Sequence, residues 1–243
     1  MGQLDGKVSI ITGGGTGIGK GIARAFAREG SQLVLASRNQ SNLEKTAEEF
    51  RSAGASVLVV PTDVTVEDQV GALFRKTVEE FGRVDILVNN AAVFDGGPVD
   101  EMSLEAWQRA VDVNLTGPFL CTRDAMKIMK RQKGGRIINI GSISAQMPRE
   151  NSVAYTATKH AIVGLTRATA LDGRPFGIAV SCLHPGNVDV ERRQGGDAEI
   201  DQEPMMGTEE IAKVALTMAA LHPDVNMLEA VVLPVQQLYV GRG

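Results

Sequence analysis

The hydrophobic positions of the chain follow two alternating periods. Short apolar runs rich in Val, Ile and Leu alternate with longer segments whose apolar residues recur every three or four positions, as at Ile18, Ile22 and Phe26. The first pattern predicts buried strands, and the second predicts helices with one face against a core. Strands are predicted at 7–13, 32–37, 56–60, 84–88, 136–140, 178–183 and 228–235, and helices at 17–28, 43–53, 66–81, 103–130, 153–171 and 208–221.

The alternation of about seven strands with helices predicts the fold class. It favours a single α/β domain over residues 1–243, with a doubly wound, Rossmann-type parallel sheet covered by helices on both faces. No linker-like or low-complexity segment divides the chain. Ligands of such sheets bind at the carboxyl ends of the strands, near the switch in strand order. The candidate chemistry is therefore expected in the residues that follow each strand.

Three local features refine this prediction. Thr65 precedes the third helix and is expected to be its N-cap. Gly117 and Pro118 lie inside the helix predicted at 103–130 and should bend it or mark a turn. Residues 187–207 are expected to form a loop that acts as the substrate lid. Arg192 and Arg193 could attract an anionic substrate there, but the acidic residues of the same segment favour a solvated loop; these are Glu191, Asp197, Glu199, Asp201 and Glu203.

Composition and charge exclude several classes of function. The net charge is −4 and no basic stretch is long enough for a nucleic-acid surface. Cys121 and Cys182 lie in apolar runs and are expected to be buried and reduced. The histidines lack metal-ligand spacing, so no metal site is predicted, and they are interpreted as structural; they are His160, His184 and His222. The chain opens without a basic-then-apolar leader and has no apolar run of about 18 residues, so we expect a cytoplasmic protein without a membrane partner.

A glycine-rich segment, Thr12-Gly13-Gly14-Gly15-Thr16-Gly17-Ile18-Gly19, joins the first predicted strand to a helix. Glycines allow the backbone to approach a pyrophosphate closely, and the N–H groups at a helix N-terminus favour that anion. The strand–turn–helix context indicates a dinucleotide site, although a purely structural turn is the alternative.

Ser37 and Arg38 follow the second predicted strand, where an enzyme selective for NAD would hold an Asp or Glu. No carboxylate is present to repel a 2′-phosphate, and a guanidinium can bind that phosphate through parallel charge-assisted hydrogen bonds. The cofactor is therefore predicted to be NADP(H) in preference to NAD(H). The alternative is that Arg38 is a solvated surface charge.

Three residues after the fifth strand predict acid–base chemistry. Ser142 follows that strand, while Tyr155 and Lys159 are four residues apart and share one face of a helix. An ammonium one turn away favours the phenolate form of Tyr155, which can then act as an acid in reduction and as a base in oxidation. Ser142 would hold the substrate oxygen and stabilise charge that develops on it.

The glycine segment and the Tyr-x-x-x-Lys pair together resemble the short-chain dehydrogenase/reductase family, over nearly the whole chain from Lys7 to Pro185-Gly186. The resemblance implies that Asn114 completes a tetrad with the three residues named above. It also implies contacts with adenine at Asp63 and with the nicotinamide ribose at Lys159. The implied cofactor-binding residues are Thr12, Gly13, Gly15, Thr16, Gly17, Ile18, Gly19, Ser37, Arg38, Asp63, Val64, Asn90, Ala91, Tyr155, Lys159, Pro185, Gly186 and Val188.

Two features of this match raise structural questions. Val190 stands where the family pattern has a Thr that would bind the carboxamide or a phosphate of the cofactor. Asn114 lies inside an apolar helix, where its amide needs a hydrogen-bond partner, for instance a water linked to Lys159.

Met147 and Arg149 lie just past Ser142 and could reach the substrate.

Taken together, the motifs and the resemblance predict an oxidoreductase that transfers a hydride between NADP(H) and a small-molecule carbonyl or alcohol. The resemblance implies a homodimer or homotetramer, with the helices at 103–130 and 153–171 as contact surfaces. The alternatives are a catalytically silent NADP(H)-sensing protein and a scaffold protein on the same fold. A 3-oxoacyl thioester, a small ketone, a sugar, a steroid and an aromatic carbonyl all remain open as substrates.

Overall fold

A computed structural model describes residues 1–191 and 203–239 of the chain. Within them, seven parallel strands form one sheet in the order β3-β2-β1-β4-β5-β6-β7. The strands are β1 (Val8–Thr12), β2 (Gln32–Ser37), β3 (Val57–Pro61), β4 (Ile86–Asn89), β5 (Gly135–Ile140), β6 (Ile178–Pro185) and β7 (Glu229–Val232). This sheet confirms the predicted doubly wound α/β fold.

The helices cover both faces of the sheet. They are α1 (Gly17–Arg28), α2 (Gln40–Ser52), α3 (Glu67–Phe81), α4 (Leu104–Val111), α5 (Gly117–Gln132), α6 (Val153–Gly173) and α7 (Thr208–Ala220). One core cluster joins α1, α2 and α7 to the sheet and includes Ile22, Phe26 and Met218. The other cluster joins α3 and α5 to the opposite face and includes Leu73 and Met129. Burial on both faces explains the nearly continuous apolar runs of the central strands.

The strand order reverses beside β1. This strand is buried at all of its positions and pairs with β2 on one side and with β4 on the other. The chain therefore leaves the carboxyl ends of β1 and β4 in opposite directions, which opens a crevice between the connections that follow them. This crevice is where the glycine-rich segment lies.

The helix predicted at 103–130 is interrupted. A π-helical turn at Asp112–Thr116 separates α4 from α5, and Pro118 follows in the first turn of α5. Proline has no N–H to donate to the carbonyl four residues earlier, and its ring clashes with that carbonyl in a regular helix. The wider π turn accommodates this at Asn114, the residue four positions before Pro118.

The prediction that Thr65 caps the third helix is wrong. The cap position of α3 is Val66, and the Thr65 hydroxyl instead donates to the Asp63 carboxylate, 2.7 Å away. The Thr65 N–H donates to the same carboxylate at 3.0 Å, so the side chain of Asp63 organises the turn before the helix. The second helix begins earlier than predicted because Asn39 caps it, accepting from the Asn42 N–H at 3.0 Å.

Both cysteines are buried and free, as predicted. Burial raises the pKa of Cys121 to about 12 and that of Cys182 to about 11. Neither thiol is therefore an activated nucleophile. No helix among residues 1–191 and 203–239 is long and apolar enough to cross a membrane. Within the same residues, no cluster of His, Cys, Asp and Glu side chains is arranged to hold a metal ion.

Candidate active site

A cleft of about 1560 Å³ opens at the carboxyl ends of the strands. It brings together residues that follow six different strands, which is how a doubly wound sheet builds a site. The predicted residues that line it are Gly13, Gly15, Thr16, Gly17, Ile18, Ser37, Arg38, Asp63, Val64, Asn90, Ala91, Ser142, Tyr155, Lys159, Pro185, Gly186 and Val188. Thr12, Gly19 and Asn114 are buried behind this lining and support it.

The glycine-rich segment needs glycine for two separate reasons. Gly13 and Gly17 have φ values of +65° and +53°, which side chains with a Cβ rarely adopt. Gly19 has an ordinary backbone conformation, but a Cβ on it would lie 2.3 Å from the carbonyl oxygen of Gly13. The segment therefore folds back tightly onto the start of α1 and presents backbone rather than side chains to the cleft.

Thr12 fastens this segment to the connection that follows β4. Its hydroxyl donates to the Val88 carbonyl and accepts hydrogen bonds from the N–H groups of Asn90 and Ala91, at 3.0 and 3.1 Å. The Asn90 amide returns a bond to the Thr12 carbonyl at 2.9 Å and also donates to that of Gly13. These hydrogen bonds set the shape of the cleft floor.

Arg38 is exposed at the mouth of the cleft, directly after β2. Among the described residues its guanidinium has no ion pair or hydrogen bond, so it is available to an anion from solution. Asp63 lies on the same side of the cleft, held in the turn before α3 by its bonds to Thr65. The site thus has a free cation at the end of β2 and no carboxylate at that position.

Ser142, Tyr155 and Lys159 line the other end of the cleft. The Lys159 ammonium is buried, donates to the Ile140 carbonyl at 2.7 Å and lies 5.5 Å from the centre of the Tyr155 ring. The Ser142 hydroxyl oxygen accepts from the Ser144 N–H at 3.1 Å, which leaves its own proton for another acceptor. The ring of Phe94 meets that of Tyr155 edge-on, with centroids 5.2 Å apart.

Asn114 acts on this site through another segment. Its side-chain oxygen accepts from the Val93 N–H at 2.8 Å, and its amide nitrogen donates to the Val93 carbonyl at 2.9 Å and to the Thr158 hydroxyl at 3.3 Å. The side-chain amide is therefore satisfied by protein groups and does not need the water that the sequence suggested. By fixing Val93, Asn114 also fixes the neighbouring Phe94 against Tyr155.

His184 lies beneath Ser142 and is fully buried. Its Nδ1 atom is 3.0 Å from the Ser142 carbonyl oxygen, and burial lowers the pKa of the ring below its usual value of 6.5. The neutral ring therefore donates to Ser142 through Nδ1. A Cβ on Gly141 would lie 2.6 Å from the same nitrogen, so the chain can pass over His184 only at a glycine.

Side chains from distant segments also meet at the wall of the cleft. The Arg149 guanidinium donates to the Asn187 side chain at 3.1 Å and pairs with Glu203, while Asn187 also donates to Glu203 at 2.6 Å. The Gln237 side-chain oxygen accepts from the Asn187 N–H at 2.8 Å. Arg149 thus reaches the cleft, as predicted. Met147 is absent from its lining, and Arg192 and Arg193 lie outside the described residues.

Val190 and Glu191 extend the segment after β6 across the cleft to the glycine loop. A Cγ atom of Val190 lies 3.3 Å from the position of a Cβ on Gly17. The Glu191 carboxylate accepts a hydrogen bond from the Gly17 N–H at 2.9 Å. The residue in place of the expected Thr therefore makes an apolar contact with the glycine loop, and its neighbour makes a polar one.

The comparison with known proteins agrees with this geometry. A family model described as short chain dehydrogenase matches residues 7–200. This chain belongs to the short chain dehydrogenase family. An uncharacterized oxidoreductase, YxjF, of Bacillus subtilis is 38% identical over 76% of this chain and 72% of its own. The 3-oxoacyl-[acyl-carrier-protein] reductase of Synechocystis is 34% identical over 82% of this chain and 81% of its own.

The fold is shared with a solved member of the family. The crystal structure of a short-chain type dehydrogenase/reductase from Mycobacterium marinum has a TM-score of 0.88 and 34% identity, and 94% of each chain is covered. Family membership makes this chain an oxidoreductase of the kind that uses a nicotinamide cofactor.

Four residues of this dehydrogenase site were missed by the sequence interpretation. Phe94 had one signal, because it closely follows β4 as the other candidates follow their strands. Asn187 lies between two predicted cofactor-binding residues, but its contacts with Arg149 and Glu203 have no local signal in the sequence. Gln237 and the cleft-facing role of Glu191 had no signal, because their contacts depend on segments far away in the sequence.

Proposed function

We propose that this protein is an NADP(H)-dependent oxidoreductase that transfers a hydride between nicotinamide and a small-molecule carbonyl or alcohol. The observation that carries the proposal is the common cleft. Ser142, Tyr155 and Lys159 line one end of it, and the glycine loop lines the other. A proton donor, its neighbouring cation and a dinucleotide-type turn would otherwise have no reason to share one cleft.

The residues present fit a nicotinamide dinucleotide. Gly13 and Gly17 keep the loop free of side chains, and the N-terminus of α1 directs N–H groups towards an anion. Thr16 gives α1 no side-chain cap, so these donors are not satisfied by the helix's own cap residue. Arg38, exposed and without an ion pair among the described residues, favours the 2′-phosphate of NADP(H).

When bound, the nicotinamide ring supplies or accepts the hydride. The residues of the chain bind the substrate oxygen and exchange a proton with it. Ser142 donates its hydroxyl proton to that oxygen, because this proton is not used in the bond that the hydroxyl oxygen accepts from the Ser144 N–H. Tyr155 gives a proton to the same oxygen in reduction and takes it back in oxidation. Lys159 donates one N–H to Ile140 and keeps two further donors for the cofactor and for Tyr155.

Two residues, Asn114 and His184, are positioning residues for these steps. Asn114 holds Val93 and thereby the ring of Phe94 against Tyr155. His184 holds the backbone of Ser142. The identity of the carbonyl compound is left open, because the same tetrad serves many substrates in this fold.

We further propose a homodimer or homotetramer that forms through α4–α5 and α6 and that acts in the cytoplasm without a nucleic-acid or membrane partner. Phe119 on α5 and Leu171 on α6 support this, because both are large apolar side chains at least 46% exposed. Light scattering tests the assembly. A monomeric mass would contradict the proposed contact surfaces.

The activity is tested with a panel of carbonyl compounds, using NADPH and NADH as separate reductants and the wild type and Tyr155→Phe side by side. We expect turnover with NADPH that is lost in the variant, while the variant still binds NADPH. Tight NADPH binding without turnover on a broad panel would favour the alternative function, a catalytically silent NADP(H)-sensing protein. A preference for NADH would contradict the role proposed for Arg38.

A further inference from the structure

The N-terminus of α1 already carries an anion from the protein itself. The Glu191 carboxylate accepts a hydrogen bond from the Gly17 N–H at 2.9 Å, although the two residues are 174 positions apart. Gly17 is the first residue of α1, and its N–H belongs to the group of donors that a helix cannot satisfy internally. A carboxylate is thus placed where the glycine loop would bind a phosphate.

The starts of α2, α3 and α4 have local side chains that satisfy their N–H groups or compensate their dipoles. Asn39 caps α2 and Ser103 caps α4 with their own side chains. The first turn of α3 contains two acidic residues, Glu67 and Asp68. By contrast, α1 has no side-chain cap and no acidic residue in its first turn. The negative charge that compensates its dipole comes from Glu191, across the cleft.

The backbone that carries Glu191 is held in place just before this residue. The Asp189 N–H donates to the Met206 carbonyl at 2.9 Å, and Val188 forms a bridge with the same residue. Val190 packs against the hydrophobic cluster that contains α1 and α7. The side chain of Glu191 therefore starts from a fixed position beside the glycine loop.

We propose that Glu191 is an internal competitor of the cofactor's phosphates. In the cofactor-free protein its carboxylate occupies one N–H donor of the glycine loop, and the diphosphate displaces it on binding. A carboxylate and a phosphate both require that donor and repel each other, so the two cannot share the donor without cost. Glu191 thereby stabilises the cofactor-free protein and lowers its affinity for NADP(H). The inference rests on the proposed function, namely that the glycine loop binds NADP(H).

The variant Glu191→Gln tests this with a matched control, Glu150→Gln. Glu150 also lines the cleft and has no hydrogen bond among the described residues, so its replacement removes the same charge without touching Gly17. We expect Glu191→Gln to bind NADPH about two- to fivefold more tightly, from the usual strength of a carboxylate at a helix N-terminus. The cofactor-free variant should melt at a lower temperature than wild type. Glu150→Gln should change the NADPH affinity and the melting temperature much less than Glu191→Gln does.

Inorganic pyrophosphate separates this inference from the proposed function. Pyrophosphate should raise the melting temperature of Glu191→Gln more than that of wild type, whether or not the protein uses NADP(H). Failure of wild type to bind any nicotinamide dinucleotide would overturn the proposed function, while the pyrophosphate result would still decide the role of Glu191. Equal or weaker binding of both probes by Glu191→Gln, or an effect matched by Glu150→Gln, would overturn the competition.

Discussion

The two halves of the cleft are built in different ways. The cofactor half consists of the connections after β1 to β4, where backbone groups and the hydroxyl of Thr12 set the shape. The substrate half consists of Phe94, Arg149, Asn187 and Glu203, whose positions depend on side-chain contacts between distant segments. Backbone groups at strand ends therefore shape the first half, whereas side chains from distant segments shape the second, which is the part of a scaffold that commonly carries binding specificity.

Tyr155→Phe should have the largest effect, because Tyr155 is the proposed proton donor to the substrate oxygen. Loss of a positioned acid or base lowers kcat by about 10²- to 10⁴-fold. The cofactor dissociation constant should change little, since the glycine loop and Arg38 are untouched. Steady-state kinetics and equilibrium titration with NADPH measure the two quantities. A loss of cofactor binding equal to the loss of rate would contradict the assignment.

Arg38→Leu should change the cofactor half alone. The variant should bind NADPH about 10- to 100-fold more weakly, which corresponds to the usual free-energy contribution of hydrogen bonds to a charged group. Its affinity for NADH should stay unchanged. Arg28→Leu is the control, because it removes the same charge from an exposed position at the end of α1. Equal weakening for NADPH and NADH in Arg38→Leu would show that Arg38 does not recognise the 2′-phosphate.

Gly19→Ala tests the close approach inside the glycine loop. The added Cβ would lie 2.3 Å from the Gly13 carbonyl oxygen, so the loop must shift. We expect a loss of about 1–3 kcal/mol in the free energy of unfolding and about tenfold weaker cofactor binding. Gly164→Ala is the matched control, because it lies in α6 with open space around the new Cβ. That variant should be as stable as wild type or more so, by up to about 1 kcal/mol.

Arg149→Met should affect the substrate half alone. It removes the contacts that Arg149 makes with Asn187 and Glu203 while preserving most of the side-chain length. Partly exposed ion pairs contribute up to about 1 kcal/mol, so the substrate KM should change by up to about fivefold. The dissociation constant of NADPH should stay the same. A change in cofactor binding larger than that in KM would show that the two halves are not independent.

The smallest expected effect concerns His184, which lies beneath the junction of the two halves. Burial lowers its pKa from the usual 6.5, so below that pH the unfolded chain binds a proton that the folded chain excludes. The unfolding free energy of wild type should therefore fall as the pH falls below 6.5. In His184→Gln this contribution to the pH dependence of the unfolding free energy should be missing. His222→Gln is the control, because His222 is largely exposed, and it should keep the wild-type slope.

The fold and the cofactor half could be predicted because they depend on local signals. The hydrophobic period predicted the element types, and the glycine spacing predicted a backbone turn at Gly13 and Gly17 that residues with a Cβ rarely adopt. The prediction that Thr65 caps α3 was wrong because the Thr65 hydroxyl donates to the Asp63 carboxylate instead. The π turn at Asn114 needed knowledge of how Pro118 is accommodated in the packed helix.

The contacts of the segments that follow β6 and β7 could not be predicted in the same way. Gln237 supports Asn187, and Glu191 reaches Gly17, through contacts between residues that are 50 and 174 positions apart. Such contacts depend on the paths of the segments that follow β6 and β7. Neither the hydrophobic period nor the spacing of motif residues predicts these paths. Val190 illustrates the limit, since the missing Thr was visible but its packing against the glycine loop was not.

The most direct test of the central claim follows the hydride itself. NADPH carrying deuterium at both positions of nicotinamide carbon 4 is supplied with a carbonyl substrate found in the panel, and the alcohol is analysed by mass spectrometry. We expect one deuterium on the new carbinol carbon with wild type and almost no product with Tyr155→Phe. An alcohol without the label, formed while NADPH is bound, would contradict hydride transfer in this cleft.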